Sequence, residues 1–476
     1  MNADKSGRRR EILVSLLVAT AFFMENLDGT IITTALPTMA RDFGIAPVDL
    51  NLGVSAYLLT LGILIPMSGW VSDRLGARRV FAIAVVIFTL ASVLCGAATD
   101  LVSFIALRVL QGIGGAMMVP VGRLAVLRAT PKERLVNAIA ILTWPALVAP
   151  ILGPALGGFI TTYASWRWIF YLNLPIGLLT LAAALWLLPN EPIGERRPFD
   201  WPGFLLTGGG LFCVLWASEL TSRRDVEWLM VAVFGAAGIA LLLLGARHLH
   251  RTAHPMLAIQ ALRLPTFAVA VWGGSLFRMS IGALPFLLPL LFQVGYGFDA
   301  FHAGLMLMAV FAGNLAMKPF TSAVLRRFGF RTTLVGNGLL NAATLAACAL
   351  FTASTPIAVM LVVLFIGGMF RSMQFTALNT IAFSDVPQPQ MSGANTLFSA
   401  AFQLAMGMGV ALGAVAIRFS EWLLAKLGYA GIAAAPYRLA FVMVGLVALA
   451  GLVDCVRLTA GAGSNISGYG KPKAGA

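Results

Sequence analysis

The feature that most constrains this chain is the recurrence of apolar runs of roughly 18–25 residues along its whole length, each long enough to cross a hydrocarbon layer of about 30 Å as a helix. Barrel strands would be about half that length and would alternate polar with apolar positions. Only 11% of the 476 residues are charged and 59% are hydrophobic, whereas a soluble chain is about 25% charged. Most of the sequence must therefore face lipid. The runs fall at 12–36, 48–71, 80–98, 102–125, 136–161, 167–188, 201–219, 227–246, 266–294, 301–325, 331–352, 356–381, 392–417 and 437–457, which predicts an all-α integral membrane protein with 14 transmembrane helices. An even number puts both termini on one side. Of the 33 Lys and Arg residues, 22 lie in the segments of that side, 7 in the opposite segments and 4 inside spans, so that side is expected to be cytoplasmic. The basic stretch Met1 to Arg10 leads into a long run that holds two acids, unlike a cleavable secretory signal.

Several function classes are disfavoured by what stands between the runs. Cys95, Cys213, Cys348 and Cys455 are isolated in apolar surroundings and read as packing residues, not as metal or redox centres. The net charge of +14 is scattered over the interhelical segments instead of gathered in one patch, so topology explains it better than nucleic acid does. No phosphate-binding GxxxxGK[ST] loop, HExxH or GxSxG site occurs, and no polar stretch is long enough for a catalytic domain. An enzyme, a cofactor and a metal centre are not expected. His248, His250 and His254 read as linker residues.

A repeat is visible when Gly69 to Val80 is laid over Ser322 to Thr333, because Arg74, Gly76 and Arg78 meet Arg327, Gly329 and Arg331. The first copy follows span two and the second follows span ten, so two six-helix halves need two extra helices between them. This divides the chain into an N-terminal half at 12–188, an inserted pair at 201–246, a C-terminal half at 266–457 and a cytoplasmic tail at 458–476. The stretches 194–202 and 247–265 read as linkers.

Four motifs in order carry a family resemblance: Leu27-Asp28-Gly-Thr-Ile-Ile-Thr-Thr-Ala-Leu-Pro37, the 69–80 loop, Arg108-Val-Leu-Gln-Gly112 and Gly153-Pro-Ala-Leu-Gly-Gly158. The chain resembles the fourteen-span drug:proton antiporters of the major facilitator superfamily, the EmrB/QacA type. Gly115 to Arg123, Ser165 to Phe170 and Phe301 to Met306 look most like its enterobacterial MdtD group. The resemblance implies a major facilitator fold and a monomer in the bacterial inner membrane. It also implies proton-coupled export of drugs or other small molecules by alternating access, with protons, substrate and lipid bilayer as the only partners. A narrower organic anion, such as a di- or tricarboxylate, a metabolite or a metal chelate, is the alternative substrate; an uncoupled channel is the rival from another class.

Glu25 and Asp28 are the acids lying well inside an apolar span, where a lipid-facing charge would cost roughly 2.5–3.5 kcal/mol or more. They should face the protein interior. Three residues apart on one helix face, they repel one another, which suits a pair that binds and releases a proton. Structural carboxyls that bond neighbouring helices are the alternative. Arg108 stands at a depth similar to Asp28, so the two can pair, either as a switch of proton affinity or as a structural bridge. The resemblance makes Asp28 the family's membrane-embedded aspartate.

Pro150, Gly153, Pro154, Gly157 and Gly158 in span five, together with Pro145, suit a bending or a tightly packed helix; by resemblance this is the antiporter motif. Asp73, Arg74 and Arg78 crowd the turn after span two and read as a cytoplasmic gate. By resemblance Asp73 meets the start of span thirteen; Arg123, near the cytoplasmic end of span four, is placed to be a second partner. Arg278, Lys318 and Arg371 lie inside spans of the C-terminal half, with Asn314 one turn from Lys318 and Gln374 one turn from Arg371. These faces are expected to line the cavity and to attract an anionic substrate, although Lys318 is near enough to the inner end to snorkel. Met117 and Phe402 are among the soft apolar residues suited to its wall. Trp166, Trp168, Trp201 and Trp228 read as interface anchors.

Overall fold

The computed structural model describes residues 2–45, 47–189, 198–222, 226–252, 255–298, 300–428 and 433–469, and every regular element among them is helical. In chain order the helices are α1 (Asn2–Phe43), α2 (Pro47–Leu64), α3 (Ser68–Leu75), α4 (Ala77–Ala97), α5 (Leu101–Ala129), α6 (Leu135–Tyr163), α7 (Trp168–Tyr171), α8 (Asn173–Leu187) and α9 (Trp201–Ser222). They continue as α10 (Trp228–Arg251), α11 (Pro265–Pro289), α12 (Ala300–Met317), α13 (Thr321–Cys348), α14 (Ile357–Ile381), α15 (Met391–Lys426), α16 (Ala435–Ala450), α17 (Val453–Val456) and α18 (Ser464–Ser467). Among the described residues, 12 helical stretches are long and apolar enough to cross a membrane. One of these, His302–Cys348, is 47 residues long and contains a non-helical residue, Gly329, with φ 72° and ψ 172°. The 29-residue α6 stands outside the twelve, with Leu135–Pro145 as the apolar stretch of its described residues.

Sequence and local structure meet at the repeated glycines. Gly76, between α3 and α4, has φ 86° and ψ 136°, close to the angles of Gly329. Side chains disfavour positive φ, so each copy of the repeat uses its glycine to break the helix at the same place. At the other end of the molecule Asp100 caps α5, accepting the Ser103 backbone N–H at 2.9 Å. Hydrogen bonds from Ser103 hold the Asp100 carboxyl below its usual range.

The helices form two bundles. In the first, α1 lies along α6 and α4 along α5; in the second, α11 lies along α15 and α12 along α14. The pair α9–α10 rests on the edge between them, against α2 and α15, where Ser218 donates to the Gly407 carbonyl at 2.9 Å. One apolar cluster crosses the division, joining Leu124, Leu127 and Leu135 to Phe267, Leu325, Phe383 and Phe398. Among the described residues four hydrogen bonds join the bundles directly: Lys318 to Thr143 at 2.8 Å, Lys132 to the Ser384 carbonyl at 3.0 Å, Asn395 to the Pro120 carbonyl at 2.9 Å and Ser392 to the Gly69 carbonyl at 3.3 Å. All lie toward the end that carries the Gly76 and Gly329 breaks. Both ends of the described chain lie there too, since Glu11 pairs with Arg134 and Asn465 donates to the Ser384 carbonyl.

Trp166 corrects its interface reading. Only 2% exposed, its indole N–H donates to Asp42 at 2.7 Å, because the turn before α7 folds inward against α1. Bonds from Trp166 and Arg167 hold the Asp42 carboxyl below its ordinary range. Trp168, Trp201 and Trp228 are exposed.

In the second bundle, α11 and α15 cross at bare backbone. A Cβ on Gly282 would come within 2.6 Å of the Met406 carbonyl, and one on Gly409 within 2.6 Å of the Gly282 Cα. This crossing sets Arg278, one turn before Gly282, beside Phe398 and Phe402. Gly282→Val is expected to force the helices apart and to destabilise the protein by about 1–3 kcal/mol, the usual cost of overpacking. Thermal unfolding of the purified variant checks this, and an unchanged transition temperature would refute the crossing.

Candidate functional site

Asp28 on α1 and Arg108 on α5 meet as an ion pair, Arg108 Nη1 to Asp28 Oδ2 at 2.6 Å, with both side chains fully enclosed. Asp28 Oδ1 accepts from Gln111 at 2.8 Å and from Asn173 at 3.2 Å. Arg108 also donates to Gln111 at 2.7 Å, and its guanidinium sits 4.4 Å from the Tyr57 ring centre. Asn173 extends the network to Ser92, which donates to the Phe170 carbonyl. The group ties α1, α4, α5 and α8 together inside one bundle. Gln111 was visible as the fourth residue of the Arg108–Gly112 motif; Asn173, Ser92 and Tyr57 carried no sequence signal.

Glu25, one turn before Asp28, has a different setting. It is partly exposed, and its buried Oε2 has no hydrogen-bond partner; neither has the Tyr57 hydroxyl beside it. Gly115 keeps this corner open, since a Cβ there would stand 3.2 Å from the Tyr57 oxygen and 3.6 Å from Glu25 Oε2. Arg123 is the cation that faces Glu25.

Arg123 corrects the expected gate. Its guanidinium lies among Phe22, Phe398 and Phe402, at 5.7, 5.3 and 5.8 Å from their ring centres. Asp73 pairs instead with Arg128 in the last turn of α5, at 2.9 Å. Helical side chains lean toward the N-terminus of their helix, so Arg123 reaches inward while Arg128 comes level with the turn. The start of α15 also meets α3 one turn before Asp73, at Gly69, where a Cβ would lie 2.3 Å from Thr396 Oγ1. Arg74 stacks on Trp70, and Arg78 donates to the Leu185 carbonyl, so both stay on the first bundle.

The C-terminal residues do not share one surface. Arg278 is 1% exposed; its Nη1 donates to the Ala270 carbonyl at 2.9 Å, and its Nε and Nη2 have no partner. Lys318 does not snorkel: it is buried, and it donates at 2.8 Å to both Thr143 and Thr376. Gln374 is a correction too. It donates to the Leu334 carbonyl and accepts from Asn337, because its face of α14 packs on α13 and not on the seam between bundles. Arg371, one turn earlier, is buried and makes no hydrogen bond or ion pair among the described residues. Asn314 is buried with its Oδ1 unpartnered, where α12 meets Gly368 of α14.

On α6, Gly153 admits α1, since a Cβ there would lie 2.3 Å from Thr30 Oγ1. Gly157 is buried, whereas a Cβ on Gly158 would meet nothing within 4 Å. The side chains of Pro150 and Pro154 lie outside the described residues, as does His254. His248 binds Asp200 at 2.7 Å and so ties the end of α10 to the start of α9; the buried Asp200 Oδ2 beside it has no partner.

Comparison with known proteins adds an independent line. The model of the Major Facilitator Superfamily matches residues 18–410 and 270–465. A Serratia proteamaculans protein named for multidrug resistance, MdtD, is 41% identical over 408 residues, covering 84% of each chain. The Klebsiella pneumoniae protein of the same name is 40% identical over 400 residues, covering 83% of this chain and 84% of the relative. Among solved structures, the proton:xylose symporter XylE superposes with a TM-score of 0.63 at 15% identity, over 94% of this chain and 95% of that one. The human organic anion transporter MFSD10 gives 0.65 at 15% identity, over 94% and 99%.

Proposed function

The chain belongs to the major facilitator superfamily, a family of transporters and not of enzymes, and from that premise we propose that it exports small molecules, drugs among them, in exchange for protons. The observation that carries this reading is the contrast between two carboxyls one turn apart on α1. Asp28 is filled by one guanidinium and two amides, while Glu25 Oε2 stands unpartnered opposite Arg123. A pair of acids with opposite environments is the pattern of an acid that changes its proton beside one that keeps its charge.

In this reading Asp28 and Arg108 frame the N-terminal half, and Glu25 carries the proton. A proton and the cationic centre of a substrate then exclude one another at Glu25, and mutual exclusion is what an exchange cycle requires. The relatives' names for multidrug resistance support drugs as cargo. The fourteen-span count follows if Gly329 divides His302–Cys348 into two spans and α6 crosses as one more. Residues 12–188 and 266–457 are then the halves, 201–246 the inserted pair and 458–476 the tail. The excess of Lys and Arg at the end with the Gly76 and Gly329 breaks makes it cytoplasmic, with both termini inside. Bundles joined at that end correspond to a state open toward the outside.

Proteoliposomes under an imposed pH gradient test the proposal, with a panel of lipophilic cations, zwitterions and carboxylates. The expected result is accumulation of at least one cation or zwitterion that collapses when a protonophore is added. Movement that ignores the protonophore would make the protein an uncoupled facilitator.

A further inference from the structure

Two arginines, one from each bundle, converge on a single pair of rings at the seam. The Arg278 guanidinium lies 4.7 Å from the centre of Phe398 and 5.2 Å from that of Phe402; Arg123 lies 5.3 and 5.8 Å from the same two. The rings are 6.5 Å apart, and Phe375 stands edge-on to Phe402 at 5.8 Å. The charge of Arg123 reaches Arg278. Among the described residues Glu25 is the acid whose charge reaches Arg123, whereas none reaches Arg278, which donates to a carbonyl of its own helix. Three buried donors are left over: Arg278 Nε, Arg278 Nη2 and Arg123 Nη1.

Such an arrangement is incomplete by itself. Attraction to ring faces is weaker than the penalty for stripping water from an ion, and two like charges brought together add repulsion. A guanidinium with Nε and Nη2 both unpaired presents the two-pronged edge that a carboxylate fits. The surrounding rings would hold the flat body to which that carboxylate is attached. Lys318 is no rival, since its two threonines occupy it, and among the described residues Arg371 makes no contact with these rings.

We infer that Arg123 and Arg278 form a carboxylate subsite, and that the preferred cargo is an amphoteric aromatic compound whose carboxylate binds there while its cationic group meets Glu25. The inference rests on the exporter reading for the role of Glu25, and it adds what that reading leaves open. A pure anion would bind better with Glu25 protonated, which favours carrying the proton and the anion together and opposes exchange. A zwitterion resolves the conflict: its cationic end competes with the proton at Glu25, and its anionic end supplies affinity that the proton does not disturb. The two arginines come from different bundles, so the bound carboxylate also bridges the seam.

The test is binding of rhodamine B, a xanthene cation with a free benzoate, against its ethyl ester, in which only that charge is lost. Fluorescence anisotropy with the purified full-length protein needs no gradient. The unaltered protein should bind the acid about tenfold more tightly than the ester, the effect of one charge-assisted pair. Arg278→Gln should abolish that preference by weakening the acid while leaving the ester unchanged. Equal binding of acid and ester by the unaltered protein, or no binding of the acid, overturns the inference without any variant. Equal weakening of both dyes in Arg278→Gln overturns it as well, because Arg278 would then only support the fold. If the acid preference holds but a pH gradient moves neither dye, the exporter reading fails and the subsite stands.

Discussion

Arg108→Gln is expected to destabilise the protein by roughly 3–5 kcal/mol, the usual cost of leaving one member of a buried ion pair alone. Asp28 would keep its bonds from Gln111 and Asn173 but lose the 2.6 Å guanidinium contact that balances its charge. With 1% exposure it has no water to replace that partner. Asp28→Asn should cost a similar amount, since Arg108 would then be the stranded charge, with Nη2 already unpartnered. The double variant Asp28→Asn with Arg108→Gln leaves no charge behind and should recover most of the loss, a coupling that a double-mutant cycle measures directly. Thermal unfolding of the four purified proteins is the assay. If the single changes simply add, the pair does not hold α1 to α5, and the bond from Gln111 does.

How much of this could be read beforehand depended on whether depth or direction was needed. Depth alone allows Asp28 to pair with Arg108, because a rise of 1.5 Å per residue places two residues on neighbouring spans at one level, and the structure joins them. Their remaining partner from α8 could not be read, since Asn173 arrives through packing of α8 on α1 and α4, a tertiary fact. Counting residues along α5 places Arg123 at the gate. The count located its Cα near the inner end, but the side chain leans back toward the helix start and delivers its charge to the seam. Arg278 folds back in the same way, to a carbonyl eight residues earlier. Gln374 failed on direction: one turn from Arg371 is fixed by sequence, but whether that face meets α13 or the other bundle is set by neighbours the sequence does not name. Apolar periodicity hides faces in a membrane chain, because lipid and protein interior both accept Leu, Phe and Met.

The glycines followed the same division. Gly76 and Gly329 announced themselves through a repeat, and both take positive φ. Gly282 and Gly409 sit in unremarkable apolar runs and gave no sign that two backbones cross there. Yet that crossing brings Arg278 onto Phe398 and Phe402, so the subsite depends on residues with no side chain at all.

Glu25→Gln is expected to abolish proton-driven accumulation while leaving the protein folded and able to bind cargo more weakly, through its carboxylate end alone. A gradient of one pH unit supplies about 1.4 kcal/mol per proton, enough for roughly tenfold accumulation when one proton is exchanged for one substrate. Glutamine has the shape of glutamate but cannot take up that proton, so the variant should only equilibrate its substrate. Its fold should tolerate the change, because Glu25 Oε2 makes no hydrogen bond that would be lost. Exchange of labelled for unlabelled substrate, which requires no gradient, should therefore persist in Glu25→Gln at substrate concentrations that saturate the weakened site. The comparison separates the two acids on α1: loss of accumulation with retained exchange identifies a proton carrier, whereas parallel loss of both, together with lower thermal stability, is the signature expected of Asp28→Asn. If Glu25→Gln still accumulates substrate tenfold per pH unit, the proton travels elsewhere, and the enclosed Asp28 must open to water during the cycle to receive it.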